Sequence, residues 1–272
     1  MKPKRNDLCY CGSGLKYKKC HMKIDQQKDR ERRASKQAVQ WLNRDLLTFA
    51  RDERFAEAFA AALSHYWDDL YTFENAEEMG MEEALRFADW FAFDYAQPDG
   101  SRLIELYHAE KAEDLSEVQR QVLESWLEAG ASGAYELLGY KGQMLQLRDF
   151  FTGEEFEVYE PSGHGDVQIG EVILARIVPV LDQLEFSTTA AYLPAAEIAG
   201  LREKMDAAKT ADKAQYPEAS HTDFMRRHNY LIIHHALAQA KLQGRPPVAR
   251  LDPDRSDKKT QAVARQIRKR FG

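Results

Sequence analysis

All three cysteines of this 272-residue chain lie within its first twenty residues. Cys9 and Cys11 are separated by one residue, and Cys20 is followed directly by His21. An odd number of cysteines confined to one end cannot build a disulfide framework for the rest of the chain. Three thiolates and one imidazole this close together match the ligand set of a tetrahedral zinc site. The sequence therefore predicts that Cys9, Cys11, Cys20 and His21 bind zinc.

The residues between these ligands suit a compact metal-binding loop. Gly12-Ser13-Gly14 lets the backbone reverse where larger side chains would crowd the ion. Because all four ligands come from the protein, the predicted zinc is structural rather than catalytic. So short a segment has almost no core, and metal binding, on the order of 10 kcal/mol in small zinc peptides, would supply its folding energy. The alternative is that the cysteines are reduced and bind no metal.

The segment from residue 4 to residue 22 resembles the SEC-C motif, a zinc knuckle known from the tail of the bacterial preprotein translocase motor SecA and from small bacterial proteins. The resemblance rests on the runs Arg5-Asn6-Asp7, Cys9-x-Cys11-Gly12-Ser13-Gly14, Lys16-Tyr17-Lys18 and Cys20-His21. It implies the same four zinc ligands. It also implies a partner-docking module, because family knuckles are associated with the export chaperone SecB and with ribosomes.

The chain departs from the family pattern at three positions. Leu8 and Tyr10 stand where the family usually has prolines, and Leu15 stands where it usually has a lysine. The knuckle is at the N-terminus here, and the sequence contains no nucleotide-binding motif. This chain is therefore not the motor itself.

Basic side chains around the predicted ligands favour a cationic docking face. Lysines act as point charges toward phosphates or carboxylates, so we expect binding to weaken as salt rises. Tyr17 either packs on the partner or covers the metal site. The predicted partner-binding residues are Arg5, Asn6, Lys16, Tyr17, Lys18 and Lys19.

The charge of the chain is distributed unevenly. Residues 1–36 contain 12 Lys/Arg and 4 Asp/Glu, residues 241–272 contain 10 and 3, and the residues between contain 16 and 37. Basic ends of this kind dock on polyanions such as nucleic acid or an acidic protein face, fold back onto the acidic middle, or stay solvated.

Hydrophobic periodicity predicts an α+β protein in which helices come first, strands follow and helices return. An aromatic cluster between Phe87 and Tyr95 is assigned to the core of the helical part. Near Gly133 the pattern changes to short apolar runs separated by turns, which predict a small antiparallel β-barrel or curled sheet. The predicted segments are a zinc knuckle at 1–23, a polar linker or solvated helix at 24–38, a helical region at 39–131, a small β-domain at 132–193, C-terminal helices at 194–243 and a basic tail at 244–272.

Composition excludes a membrane protein and favours a cytoplasmic one. The mean hydropathy is −0.60, and the sequence lacks any apolar run of about 18 residues, so no transmembrane segment is expected. Charged residues and cysteines, rather than an apolar stretch, follow the basic N-terminus, which argues against a secretory signal.

The sequence favours an adaptor over an enzyme. It contains no P-loop, no Gly-x-Ser-x-Gly elbow and no His-Glu-x-x-His pair. The leading hypothesis is a zinc-binding adaptor that docks through its knuckle onto an acidic protein (a SecB-like chaperone) or onto the ribosome or RNA, in translation, protein export or folding. The alternative is a hydrolase or nuclease with a carboxylate site in the β-domain near Asp149 and Asp166, where the knuckle serves only for targeting. In a third interpretation the knuckle only caps the fold.

Overall fold

The computed structural model describes residues 3–165 and 167–244, together with the backbone of residues 249–250. Within these ranges, helices precede and follow a block of strands, so the predicted α+β class and the order of elements are confirmed. The helices are α1 (Met22–Phe49), α2 (Ala56–Tyr66), α3 (Met81–Phe93), α4 (Leu103–Lys111), α5 (Glu117–Leu127), α6 (Leu201–Gln215), α7 (His221–His228) and α8 (Tyr230–Gln243). None of the helices in the described part of the chain is long and apolar enough to cross a membrane.

Helix α1 begins directly after the cysteine-rich segment and runs for 28 residues. Its second half packs on the body, where Leu42, Leu46 and Phe49 are buried. No side chain between residues 26 and 33 is buried, so these turns have no apolar contact to hold them. Residues 24–38 are nevertheless helical throughout.

The helical part shares one apolar core with the inner face of the sheet. The aromatic cluster predicted to be core is buried there, with Phe87, Trp90 and Phe91 each 3% exposed or less. Phe59 packs edge-on against both Phe87 and Phe91. Rings of this size bury a large apolar area and prefer such tilted contacts, which accounts for their concentration where α2 meets α3.

The strands are β1 (Gly133–Lys141), β2 (Met144–Asp149), β3 (Glu155–Tyr159), β4 (Val172–Ala175), β5 (Ile177–Val180), β6 (Gln183–Phe186), β7 (Ala191–Leu193) and β8 (Ala249–Arg250). They form an antiparallel sheet in the order β3-β2-β1-β4-β7-β8, and β5 and β6 form a separate hairpin. Strand β1 pairs with β2 and β4 on its two sides, and its register shifts between Leu137 and Gly139.

The sheet curls without closing. Strand β5 follows β4 after a single residue, Arg176, and its partner β6 contacts the edge strand β3. No ladder joins β6 to β3 among the described residues. Of the two predicted forms of the β region, the curled sheet is the one found and the closed barrel is not.

A buried polar cluster joins the helices to the sheet. Arg176 bonds to Asp89 and Asp94 of the α3 segment at 2.9 and 2.6 Å. The amide of Asn229, between α7 and α8, donates to the same Asp94 oxygen at 2.6 Å and accepts from the Trp90 ring N–H at 2.8 Å. The side chain of Arg176 is 1% exposed, so this arginine meets its two carboxylates away from water.

The chain after the sheet folds back over the helical half. Asn229 separates α7 from α8, and its side chain bonds within the polar cluster. Residues 245–248 and 251–272, most of the predicted basic tail, lie outside the described residues.

Candidate metal centre

A short backbone turn brings the two nearest cysteines to the same place. An isolated β-bridge joins Leu8 to Lys16, and the Cys9 amide donates to the Leu15 carbonyl at 2.8 Å. Between these contacts Gly12 and Gly14 have φ values of 76° and 71°. Side chains rarely tolerate this left-handed conformation, so the glycines allow the loop to close tightly.

The four predicted ligands converge at one point. The Sγ atoms of Cys9 and Cys20 lie 3.2 and 3.1 Å from Nδ1 of His21, and the Sγ atoms of Cys11 and Cys20 lie 3.5 Å apart. All four ligand atoms lie within 4.8 Å of one another. Zinc–sulfur bonds of about 2.3 Å in a tetrahedron place sulfurs about 3.8 Å apart. The group is therefore close enough to bind a metal ion, and its donors are those that suit zinc.

The surroundings of Cys11 favour its metal-binding form. The Ser13 hydroxyl lies 3.2 Å from Cys11 Sγ. This hydroxyl, followed by the Ser13 backbone N–H, stabilises the thiolate and lowers the pKa of Cys11 to about 6. The thiolate is the form that binds metals. A large fraction of the Cys11 side chain is therefore in the metal-binding form at neutral pH.

A second layer of side chains holds the loop on α1, and of its members only Tyr17 has a role predicted from the sequence. The hydroxyls of Tyr17 and Tyr10 donate to the two carboxylate oxygens of Asp25 at 2.7 and 3.0 Å. Asp25 lies in the first turn of α1 and is 8% exposed. The Tyr10 ring packs on the His21 ring with 5.1 Å between centroids. We call Tyr10, Tyr17 and Asp25 the tyrosine clamp.

Two observations define the role of Tyr17. The bond to Asp25 raises the pKa of Tyr17 to about 12, so this phenol stays a donor. Tyr17 is 6% exposed, and this burial favours a role as a cover over a role as a partner contact. One feature of the sequence could have pointed to Asp25, because it is the only acidic residue between Asp7 and Asp29.

The other predicted partner-binding residues remain at the surface. Arg5, Asn6, Lys16 and Lys19 are exposed, and Lys18 is half-buried. The departures from the family pattern also face solvent, with Leu8 68%, Tyr10 58% and Leu15 50% exposed. The loop thus presents both cations and apolar groups outward.

Of the carboxylates considered for an alternative catalytic site, those that the structure describes do not form a cluster. Asp149 accepts the backbone N–H groups of Phe151 and Thr152 at 2.8 and 2.7 Å and so shapes a turn. Glu155 and Glu157 are exposed on one face of β3. Asp166 lies outside the described residues. Among the residues that the structure describes, the Cys–His group is the only cluster with the composition and proximity of a metal site.

Comparison with known protein families identifies the same segment. Residues 5–23 match the SEC-C motif, a segment that includes all four candidate ligands and Tyr17. Comparisons with curated proteins and with solved structures gave no match for the chain. The remainder of the chain is therefore described by its structure alone.

Proposed function

We propose that the SEC-C segment of this chain binds a structural zinc ion and that the metal shapes a basic knuckle that docks on a partner. The observation that carries the proposal is the convergence of Cys9, Cys11, Cys20 and His21 within 4.8 Å. Thiolates and imidazole are preferred zinc ligands, and four of them leave no open position for catalysis.

Zinc would provide most of the stability of the knuckle. Among the described residues before α1, only Cys9 and Tyr17 are buried. Two buried side chains cannot offset the entropy of ordering a loop of this length. Binding of the metal, on the order of 10 kcal/mol in small zinc peptides, can do so.

The proposed docking surface is the cationic side of the knuckle, with Arg5, Asn6, Lys16, Lys18 and Lys19 as contacts and Tyr17 as their support. A zinc ion with three thiolates carries one net negative charge, which the surrounding cations outweigh. A partner of opposite charge is expected, either an acidic protein surface such as that of a SecB-like chaperone or the ribosome. Such a role belongs to translation, protein export or folding in the cytoplasm.

Metal content tests the first half of the proposal. Purified, reduced protein should contain stoichiometric zinc by mass spectrometry, and a strong chelator should remove it with loss of ordered amide signals from residues 5–23 in the NMR spectrum. Amide signals from the body should persist, because its core does not involve the metal. Protein without zinc, or a knuckle indifferent to the chelator, would contradict the proposal.

Co-sedimentation tests the second half. Cys9→Ser with Cys11→Ser should abolish binding to ribosomes or to SecB, whichever the wild-type protein binds. Lys16→Glu with Lys19→Glu should weaken the same binding while zinc content stays stoichiometric, which separates contact from folding. If both variants co-sediment as well as wild type, the knuckle is not the docking surface.

A further inference from the structure

One face of α1 carries cations and amides in an uninterrupted row. Lys23, Gln26, Arg30, Arg33 and Gln37 follow the spacing i, i+3, i+7, i+10 and i+14, which places them on one side of a helix. All five side chains are exposed. We call these residues the α1 row.

Contacts on another side of α1 determine that this row faces outward. Arg32 approaches Asp182 of the β5–β6 turn at 3.3 Å, and the Lys36 ammonium lies 5.3 Å from the centre of the Tyr159 ring on β3. Arg32 and Lys36 are one helical turn apart, so they hold the same side of α1 against the sheet. The row lies elsewhere around the helix axis and stays open to a partner.

The chemistry of the row distinguishes between classes of partner. Arginine, lysine and glutamine donate hydrogen bonds to phosphate and sugar oxygens, which account for most protein–nucleic acid contacts. Protein interfaces place aromatic or apolar side chains at their centre, and interfacial membrane helices need an apolar face. The row contains neither aromatic nor apolar residues.

We propose that the α1 row binds the sugar-phosphate backbone of a nucleic acid and so extends the proposed docking surface of the knuckle along the helix. Lys23 and Arg33 are ten residues apart, which corresponds to about 15 Å along the helix axis and spans several phosphates. The clamp between Asp25 and the two tyrosines holds the knuckle at the start of the same row. The inference rests on the proposed function, because it names the partner class for this end of the molecule.

Fluorescence anisotropy with zinc-loaded, full-length protein tests this inference. The probes are labelled single-stranded RNA and DNA of about 20 nucleotides, titrated over a range of salt concentrations. Arg30→Glu with Arg33→Glu should weaken binding at least ten-fold and reduce the slope of log K against log salt by about 1.4, since each phosphate contact on a single strand contributes about 0.7. The RNA and DNA arms show whether the 2′-hydroxyl contributes to binding.

A matched control separates position from net charge. Lys141→Glu with Lys213→Glu makes the same change in charge at exposed positions on β1 and α6, and it should change affinity less than three-fold. Equal losses in both double variants would overturn the inference, as would an absence of binding to either nucleic acid. Tighter binding to polyglutamate than to both oligonucleotides would instead assign the row to an acidic protein and also overturn it.

The knuckle and the row can fail separately. If Arg30→Glu with Arg33→Glu leaves nucleic acid binding intact while Lys16→Glu with Lys19→Glu abolishes it, the docking role of the knuckle stands and the row is rejected. All four substituted side chains are exposed, so each variant should keep the fold. Zinc content and circular dichroism of each variant check this.

Discussion

Asp25 connects the metal-binding loop to the first helix through two phenol groups. Its carboxylate accepts hydrogen bonds from both Tyr17 and Tyr10, and the Tyr10 ring packs on the ring of the candidate ligand His21. Side chains that orient metal ligands from behind typically change metal affinity when they are altered. A carboxylate in the first turn of α1 also complements the positive end of the helix dipole.

We expect Asp25→Asn to lower zinc affinity about ten-fold or more, in line with the loss seen when outer-shell partners are changed. An amide presents one oxygen and one NH₂ group, so it can accept a hydrogen bond from only one of the two phenol groups. Competition with a chromophoric chelator measures the change. Glu31→Gln is the matched control, because Glu31 lies on the same helix and, within the described part of the chain, accepts only from Gln27 at 2.8 Å. Equal zinc affinities in the two variants would show that Asp25 does not stabilise the proposed zinc site.

Asp212 makes the stability of the C-terminal helices depend on pH. Arg227 donates to both of its oxygens at 2.8 and 2.7 Å, and His228 Nε2 lies 2.8 Å from one of them. These hydrogen bonds, with that from Arg227 first, lower the pKa of Asp212 to about 2. A lowered carboxyl pKa stabilises the fold above the unfolded pKa of about 4 and ceases to do so as pH falls toward 2.

Urea unfolding between neutral pH and pH 2 should show this contribution. We expect wild-type protein to lose about 2 kcal/mol from Asp212 between pH 4 and pH 2, because a shift of one pKa unit corresponds to about 1.4 kcal/mol. Asp212→Asn should be less stable by about that amount at pH 7 and should lose less stability on acidification. Parallel curves for the two proteins would contradict the assignment.

At the scale of elements, periodicity left two forms open for residues 24–38, a polar linker or a solvated helix, and the structure has the helix. Its turns between residues 26 and 33 bury no side chain, so a hydrophobic pattern cannot distinguish a helix from a linker there. Short solvated helices are marginal in water. Here the body holds one end of α1 and the tyrosine clamp holds the other, and helix propagation between two anchored ends costs little.

Lys28→Pro should break this part of α1. Proline removes a helical hydrogen bond and clashes with the preceding turn, which costs about 3 kcal/mol. Trypsin should therefore cleave after Arg30, Arg32 and Arg33 at least ten-fold faster than in Lys28→Ala, the control that removes the same charge without breaking the helix. Mass spectrometry of timed digests identifies the sites. Equal cleavage rates would mean that the segment is already open in the wild-type protein.

At the scale of the whole molecule, the fold depends on charges buried where the helices meet the sheet. Arg176 lies between β4 and β5, whereas Asp89 and Asp94 lie on the α3 segment. Removing one member of a buried ion pair leaves the other charged and without compensation. Loss of Arg176 should therefore destabilise the protein more than loss of an arginine that pairs with a carboxylate at the surface.

Arg176→Met should destabilise the protein by about 3 to 5 kcal/mol. Arg148→Met provides the contrast, because Arg148 pairs with Glu136 at 2.8 Å but its side chain is 41% exposed, and exposed pairs contribute about 0 to 1 kcal/mol. Guanidinium unfolding followed by both fluorescence and circular dichroism measures the two changes. A cost for Arg176→Met no larger than that for Arg148→Met would show that the cluster does not couple the helices to the sheet.

The candidate ligand set and the order of helices and strands follow from the sequence alone. The four ligands lie within one short segment, so their spacing already limits how far apart they can be, and periodicity reports which face of each element is apolar. Tertiary structure alone decided that the sheet stays open and that Tyr17 and Tyr10 both donate to Asp25. It also placed Asn229 on Asp94, 135 residues away in sequence. Contacts over such separations arise from how whole elements pack, which no local pattern of residues encodes.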